Sequence, residues 1–312
     1  MTQLVGARLR LDMTELGTLC AGIDPHPGLL ARWGLDQSVA GLETFAMRCV
    51  EAFSGTVAVV KPQSAFFEGF GSAGVAVLER TLAGLREGGT LSLLDVKRGD
   101  IGSTMTAYAE AYLSEDSPLR ADAITVSPFL GFESLRPAVD LAHETGRGLF
   151  VLALTSNPEG AQVQHARGNG GSVAGTIVDG VTSANAPEAS AGVLGSIGMV
   201  VGATVGEAVQ TLGLDLAGAN APLLAPGVGA QGPPAGDLPH AFRQALANVL
   251  AARSRGIPAS GAAVPAPRSR SGWRPRAGGR SARCRAAIAR RWIAVSRRTD
   301  WPPRSLSKLL VH

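Results

Sequence analysis

Two ammonium groups and two carboxylates stand where the apolar patterning of this chain breaks off. In Ser92-Leu93-Leu94-Asp95-Val96-Lys97-Arg98-Gly99-Asp100 an apolar run ends in charge. Asp95 and Lys97 are two residues apart, so an extended backbone points both to one side. Asp100 follows beyond Gly99, a residue that lets the chain turn. Lys61 closes a second apolar run, Val57-Ala58-Val59-Val60. A charge is costly to bury alone and tolerable when paired. An alternating row, Lys61–Asp95–Lys97–Asp100, is therefore an arrangement that can persist in a desolvated cleft and do electrostatic or proton-transfer work there. Taken singly, the same residues also suit a solvated loop and a lysine that snorkels to water.

Other polar residues stand at comparable breaks. Asp24 follows the run Thr18–Ile23 and is held by Pro25, a pattern that also fits a turn or cap aspartate. Thr155 and Ser156 follow Leu149–Leu154, two adjacent hydroxyls whose register is open by one residue. Pro226-Gly227-Val228-Gly229-Ala230-Gln231-Gly232 is a glycine-rich stretch of the kind that lets backbone N–H groups approach phosphate oxygens. Near the end of the patterned region, Arg253 and Arg255 each offer a planar fork suited to phosphate.

The elements that must position these residues alternate in period. Strand patterns fall at 18–23, 56–60, 90–94, 121–126, 149–154, 197–201, 222–225 and 248–251. Between them, 42–53, 73–86, 105–113, 135–144 and 171–184 are long enough for helices, most with apolar spacing near 3.6. Eight strands alternating with helices predict an α/β fold, a (β/α)8 TIM barrel, and place the chemistry at the C-terminal ends of the strands. No G-x-G-x-x-G follows the first strand, which counts against a dinucleotide-binding sheet.

Charge divides the chain in two. Residues 1–257 carry 16 Lys and Arg against 24 Asp and Glu, whereas residues 258–312 carry 13 against one, Asp300. The net charge of +4 describes neither part. Residues 1–257 are expected to form the catalytic barrel, and 258–312 an Arg/Pro/Gly-rich tail. Residues 258–280 have the composition of disorder, and 284–295 could form a basic helix. Arg/Pro/Ala/Ser/Gly-rich text is what GC-rich coding gives out of frame, and this altered-frame reading is preferred to a basic extension that binds nucleic acid or an acidic partner. Cys20, Cys49 and Cys284 lack metal-ligand spacing and are expected to be inert thiols. No apolar run approaches the roughly 20 residues that span a bilayer, and no signal-peptide pattern opens the chain. A cytoplasmic protein is expected.

Two motifs in this order resemble those of the orotidine 5′-phosphate decarboxylase family. Asp95-Val96-Lys97-Arg98-Gly99-Asp100-Ile101-Gly102-Ser103-Thr104 matches its D-x-K-x-x-D-I-x-x-T signature at Asp95, Lys97, Asp100, Ile101 and Thr104. Lys61-Pro62-Gln63-Ser64-Ala65-Phe66-Phe67-Glu68 is similar to the K-P-Q-x-A-F-F-E segment of one branch. The resemblance covers about 19–257. It implies decarboxylation of orotidine 5′-monophosphate to uridine 5′-monophosphate and carbon dioxide, in de novo pyrimidine biosynthesis, without metal or organic cofactor. Lys97 would stabilise and protonate C6, Asp95 would lie beside the substrate carboxylate, and Lys61 and Asp100 would hold those two. Asp24 would accept from ribose hydroxyls, Ser156 (or Thr155) would bind the pyrimidine, and Gln231 with Arg255 (or Arg253) would grip the phosphate. Asp100, Ile101 and Thr104 would reach a neighbouring subunit's site, which implies a homodimer.

Two other readings stand beside this one. Sugar-phosphate decarboxylases and synthases on related barrels carry a D-x-K-x-x-D row with magnesium, although the I-x-x-T continuation and the G-A-Q-G loop point away from them. A barrel inactivated by its altered C-terminus, or serving only as a binding module, is the other.

Overall fold

The computed structural model describes residues 3–168, 170–227, 238 and 242–254. Eight strands form its centre: β1 (Leu19–Ile23), β2 (Val59–Pro62), β3 (Leu91–Arg98), β4 (Ala123–Val126), β5 (Gly148–Leu154), β6 (Ile197–Val201), β7 (Leu223–Ala225) and β8 (Val249–Arg253). Each lies beside its neighbour in sequence, all pairs are parallel, and β8 closes onto β1. The expected (β/α)8 barrel is what the chain forms.

Helices cover the outside of this barrel. They include α2 (Val39–Phe53), the short α3 (Ala65–Glu68), α4 (Gly71–Glu87), α5 (Gly102–Leu113), α6 (Arg136–Thr145) and α7 (Val173–Ala184). Their apolar faces meet the outward residues of the strands: Phe45, Leu78, Leu82 and Leu113 pack with Ile23, Val60, Leu94 and Ile124. Buried strands alternate faces, so their other residues, among them Leu91, Leu93, Phe150, Val200, Leu224 and Leu250, fill the barrel interior.

That interior needs a floor, and a helix not expected from the patterning supplies it. α1 (Val5–Leu16) sets Val5, Leu9 and Met13, spaced by four, against Leu91, Leu93 and Phe150. Gly6 allows the approach, because a Cβ there would stand 2.1 Å from the Leu194 carbonyl oxygen. Arg8 pairs with Asp122 at 2.8 Å, and Arg10 donates to the Ala247 carbonyl at 2.7 Å. The missed signal was the four-residue spacing itself, diluted by the charged residues between.

Strand boundaries also move. β2 begins at Val59 rather than Thr56, because the Thr56 hydroxyl donates to the carbonyls of Ala52 and Phe53 and so belongs to the turn after α2. It runs on through Lys61, which is 8 % exposed; the partner that permits that burial is on β3.

Candidate active site

β2 and β3 deliver Lys61 and Asp95 to the same end of the barrel. The Lys61 ammonium donates to Asp95 Oδ2 at 2.8 Å, and Gln63 Nε2 donates to the same oxygen at 3.1 Å. On the other oxygen, Oδ1, Lys97 Nζ donates at 2.5 Å and the Thr125 hydroxyl at 2.9 Å. Four donors thus surround one carboxylate that is 7 % exposed. Burial works to raise the Asp95 pKa, but the charges of Lys61 and Lys97 and their hydrogen bonds outweigh it and hold the carboxyl down to about 2. For Lys61 burial works the other way, and Asp95, then Asp24, overcomes it and raises the pKa. Both groups are charged at neutral pH. The side chain of Lys97 is 47 % exposed and faces the opening.

Lys97 reaches Asp95 by a different route from the one its spacing suggests. It is not extended: its φ is +47°, in the left-handed region that lysine rarely occupies, and the β3–β4 register shifts between Leu94 and Arg98. Such a conformation costs about 1–2 kcal/mol and persists only where neighbours hold it. Thr125 is one such neighbour. Its Oγ1 accepts from the backbone N–H groups of Val96, at 3.0 Å, and Lys97, at 2.9 Å. Gly99 also differs from expectation, since its φ is not positive. It is needed instead for closeness, because a Cβ would stand 2.3 Å from the Ser127 carbonyl oxygen.

The expected row of four is a row of three within this chain. Asp100 turns away and its Oδ1 accepts from the N–H of Ile101 at 2.8 Å. Beyond it Ile101 is 62 % exposed, and Thr104 is exposed on the first turn of α5. The reason is geometric: after the left-handed Lys97 the chain leaves the barrel mouth and starts a helix on its rim.

The remaining candidates divide. Asp24 follows β1, and its Oδ1 is buried with no hydrogen-bond partner among the described residues. Thr155 is already committed, donating to Asn157 Oδ1 at 2.6 Å and accepting from Gln164 Nε2 at 2.7 Å. Ser156 is exposed with no side-chain bond to a described residue. Arg253 ends β8 half-buried beside Ala21 of β1. Gln231 and Arg255 lie outside the described residues, as do Cys284 and the tail from 258. Burial pushes the Cys20 thiol up to about 12 and raises that of Cys49, so both are protonated. Thr125 and Gln63 are site residues that the sequence does not single out: Thr125 has the pattern of one more β-branched strand residue, and Gln63 stands uncharged inside a motif.

A closed (β/α)8 barrel with a carboxylate clasped between two ammonium groups at the C-terminal mouth defines a barrel enzyme whose centre is built for electrostatic stabilisation. The chain belongs to the orotidine 5′-phosphate decarboxylase / HUMPS family, whose sequence profile matches residues 17–265. It is 60 % identical over 265 residues to the orotidine 5′-phosphate decarboxylase of Salinispora arenicola, covering 85 % of this chain and 93 % of that one. It is 60 % identical over 253 residues to that of Streptomyces coelicolor, covering 81 % and 88 %. Among solved structures, a Streptomyces avermitilis protein assigned the same name superposes with a TM-score of 0.80 at 53 % identity, covering 93 % of each chain. The Leishmania donovani OMP decarboxylase superposes at 0.61 with 28 % identity, over 80 % of this chain and 89 % of that one.

Proposed function

We propose that this chain decarboxylates orotidine 5′-monophosphate to uridine 5′-monophosphate, a carboxy-lyase reaction of pyrimidine biosynthesis. The observation that carries the reading is the Lys61–Asp95–Lys97 cluster at the barrel mouth, in a family member that is 60 % identical over 265 residues to a named decarboxylase.

Loss of carbon dioxide from C6 leaves an electron pair in the plane of the pyrimidine ring, where the π system cannot take it up. Direct electrostatic stabilisation is what remains, and one fixed donor in a water-excluded site is worth about 3–4 kcal/mol of barrier. Lys97 stands at the opening and takes that role, giving its proton to C6 as the C–C bond breaks. Asp95 lies beside the substrate carboxylate and repels it more in the ground state than in the transition state. Lys61, Gln63 and Thr125 hold Asp95 ionised and fixed. The orphan oxygen of Asp24 accepts from a ribose hydroxyl, Ser156 meets the pyrimidine, and Gln231 with Arg255 binds the phosphate. The reaction calls on no metal: both Asp95 oxygens already carry an ammonium, so a cation there would have to displace Lys61 or Lys97.

The working unit is a homodimer in which Asp100, Ile101 and Thr104 enter the partner's site. Their support is the exposure of Ile101 and the nearby exposure of Phe129, at 78 %, and Leu130, at 54 %, on loops at the same end of the barrel. Among the described residues no helix is long and apolar enough to cross a membrane, and a cytoplasmic location is in keeping with the reaction. The barrel within 1–257 is the catalytic unit, and nucleic acid has no part in this reading.

Loss of orotidine 5′-monophosphate absorbance tests the proposal, with purified protein in the presence and absence of EDTA. Turnover unchanged by the chelator is expected. No turnover from a folded dimer, or turnover that needs added magnesium, would contradict it.

A further inference from the structure

Arg98 and Glu68 belong to the two motifs of this chain but have no place in the chemistry above. Their side chains meet across the outside of the barrel mouth. Arg98 Nη2 donates to Glu68 Oε1 at 2.9 Å, and Glu68 is itself fixed by the Ser64 hydroxyl at 2.6 Å. Arg98 Nε donates to the Tyr112 hydroxyl at 3.3 Å, and the guanidinium lies 5.7 Å and 5.8 Å from the ring centres of Tyr108 and Tyr112. Its third hydrogen bond is the informative one: Nη1 donates to the carbonyl of Val96 at 3.2 Å. The side chain of the residue after Lys97 therefore folds back to the residue before it, bridging the left-handed turn at φ +47°. The backbone of Arg98 is tied as well, its carbonyl accepting from Ser127 N–H at 2.7 Å.

Lys97 is thus held from two sides. Thr125 secures the amides leading into it from within the barrel, and Arg98 straddles it from outside, anchored to α3 through Glu68 and to α5 through its tyrosines. A lysine on four rotatable bonds has many places to put its ammonium; a fixed backbone removes some of that freedom before substrate arrives. We propose that Arg98 and Glu68 are positioning residues for the decarboxylation, which lock the left-handed backbone of Lys97 so that its ammonium is preset at the reacting carbon. This rests on the decarboxylase reading and gives the A-F-F-E segment a task in it. α3 is the shelf on which the clamp is braced. Neither side chain bonds to Lys61, Asp95 or the Lys97 ammonium, so the consequence of loosening the clamp falls on the chemical step and not on binding.

The test compares Glu68→Gln, Arg98→Ala and the unchanged protein, measuring kcat and KM for orotidine 5′-monophosphate beside the melting temperature. Glu68 lies on the exposed side of the clamp, so Glu68→Gln keeps the fold. It is expected to lower kcat about tenfold or more while KM stays within about twofold, since a small misplacement of a reacting group costs up to about 10²-fold. Arg98→Ala should lose more, and added guanidinium should restore part of its kcat where methylammonium at the same concentration does not. Wild-type kcat in Glu68→Gln, or loss of kcat and KM together without guanidinium rescue in Arg98→Ala, would overturn the proposal. If the unchanged protein does not turn over the nucleotide, it is the decarboxylase reading that fails, and the two failures are distinguishable.

Discussion

Thr125 shows how much one hydroxyl can carry. It donates to Asp95 and accepts from two successive amides, so Thr125→Val, nearly the same shape, strips a carboxylate of a donor and leaves two backbone N–H groups without their acceptor. Buried groups left unsatisfied cost about 1–3 kcal/mol, and urea unfolding should show a loss of that size together with a lower kcat. A stability within about 0.5 kcal/mol of wild type would mean that water replaces the hydroxyl without penalty. Asp95 makes a second prediction. Its pKa is held below the ordinary value to about 2, so its contribution is fully present above the unfolded-state value near 3.9 and is lost as pH falls through about 2. That contribution is about 2–3 kcal/mol. The acid limb of unfolding free energy against pH should accordingly be shallower in Asp95→Asn. An unchanged limb would show that Asp95 is not linked to acid unfolding.

At the scale of elements, β3 was legible in its charges and misleading in its geometry. Counting residues put Asp95 and Lys97 on one side, and the ammonium does reach the carboxylate, but through a left-handed residue and a register shift that no spacing announces. The course of the chain at Asp100 is not legible in the spacing for the same reason, because its direction after Lys97 depends on tertiary partners, Thr125 and Ser127, about 30 residues further along. The eight strands were readable because fully buried parallel strands are apolar runs. α1 was not, since only three of its residues face the barrel. Leu9 is the middle one and 3 % exposed, so Leu9→Ala should cost about 2–5 kcal/mol in chemical unfolding while leaving KM unchanged. A loss below about 1 kcal/mol would mean that α1 is not the floor of the core.

At the scale of the molecule, the described residues form a barrel closed below by α1 and open above at the charged cluster, with Ile101, Phe129 and Leu130 exposed at its rim. If the rim forms a two-fold interface with shared sites, mixing Lys97→Ala with Asp100→Asn protein should create hybrid dimers with one complete site. Random exchange would then return about a quarter of wild-type activity from two inactive parents. No recovery, from proteins shown to exchange subunits, would confine each site to one chain. The central claim, however, is that Lys97 acts on the chemistry and not on affinity. Substrate binding and single-turnover decarboxylation in Lys97→Ala address it most directly. The account predicts that orotidine 5′-monophosphate still binds the folded variant, within about tenfold of wild type, and that its decarboxylation slows about thousandfold or more. Turnover near the wild-type rate once the variant is saturated would contradict it, because the ammonium would then be serving affinity alone.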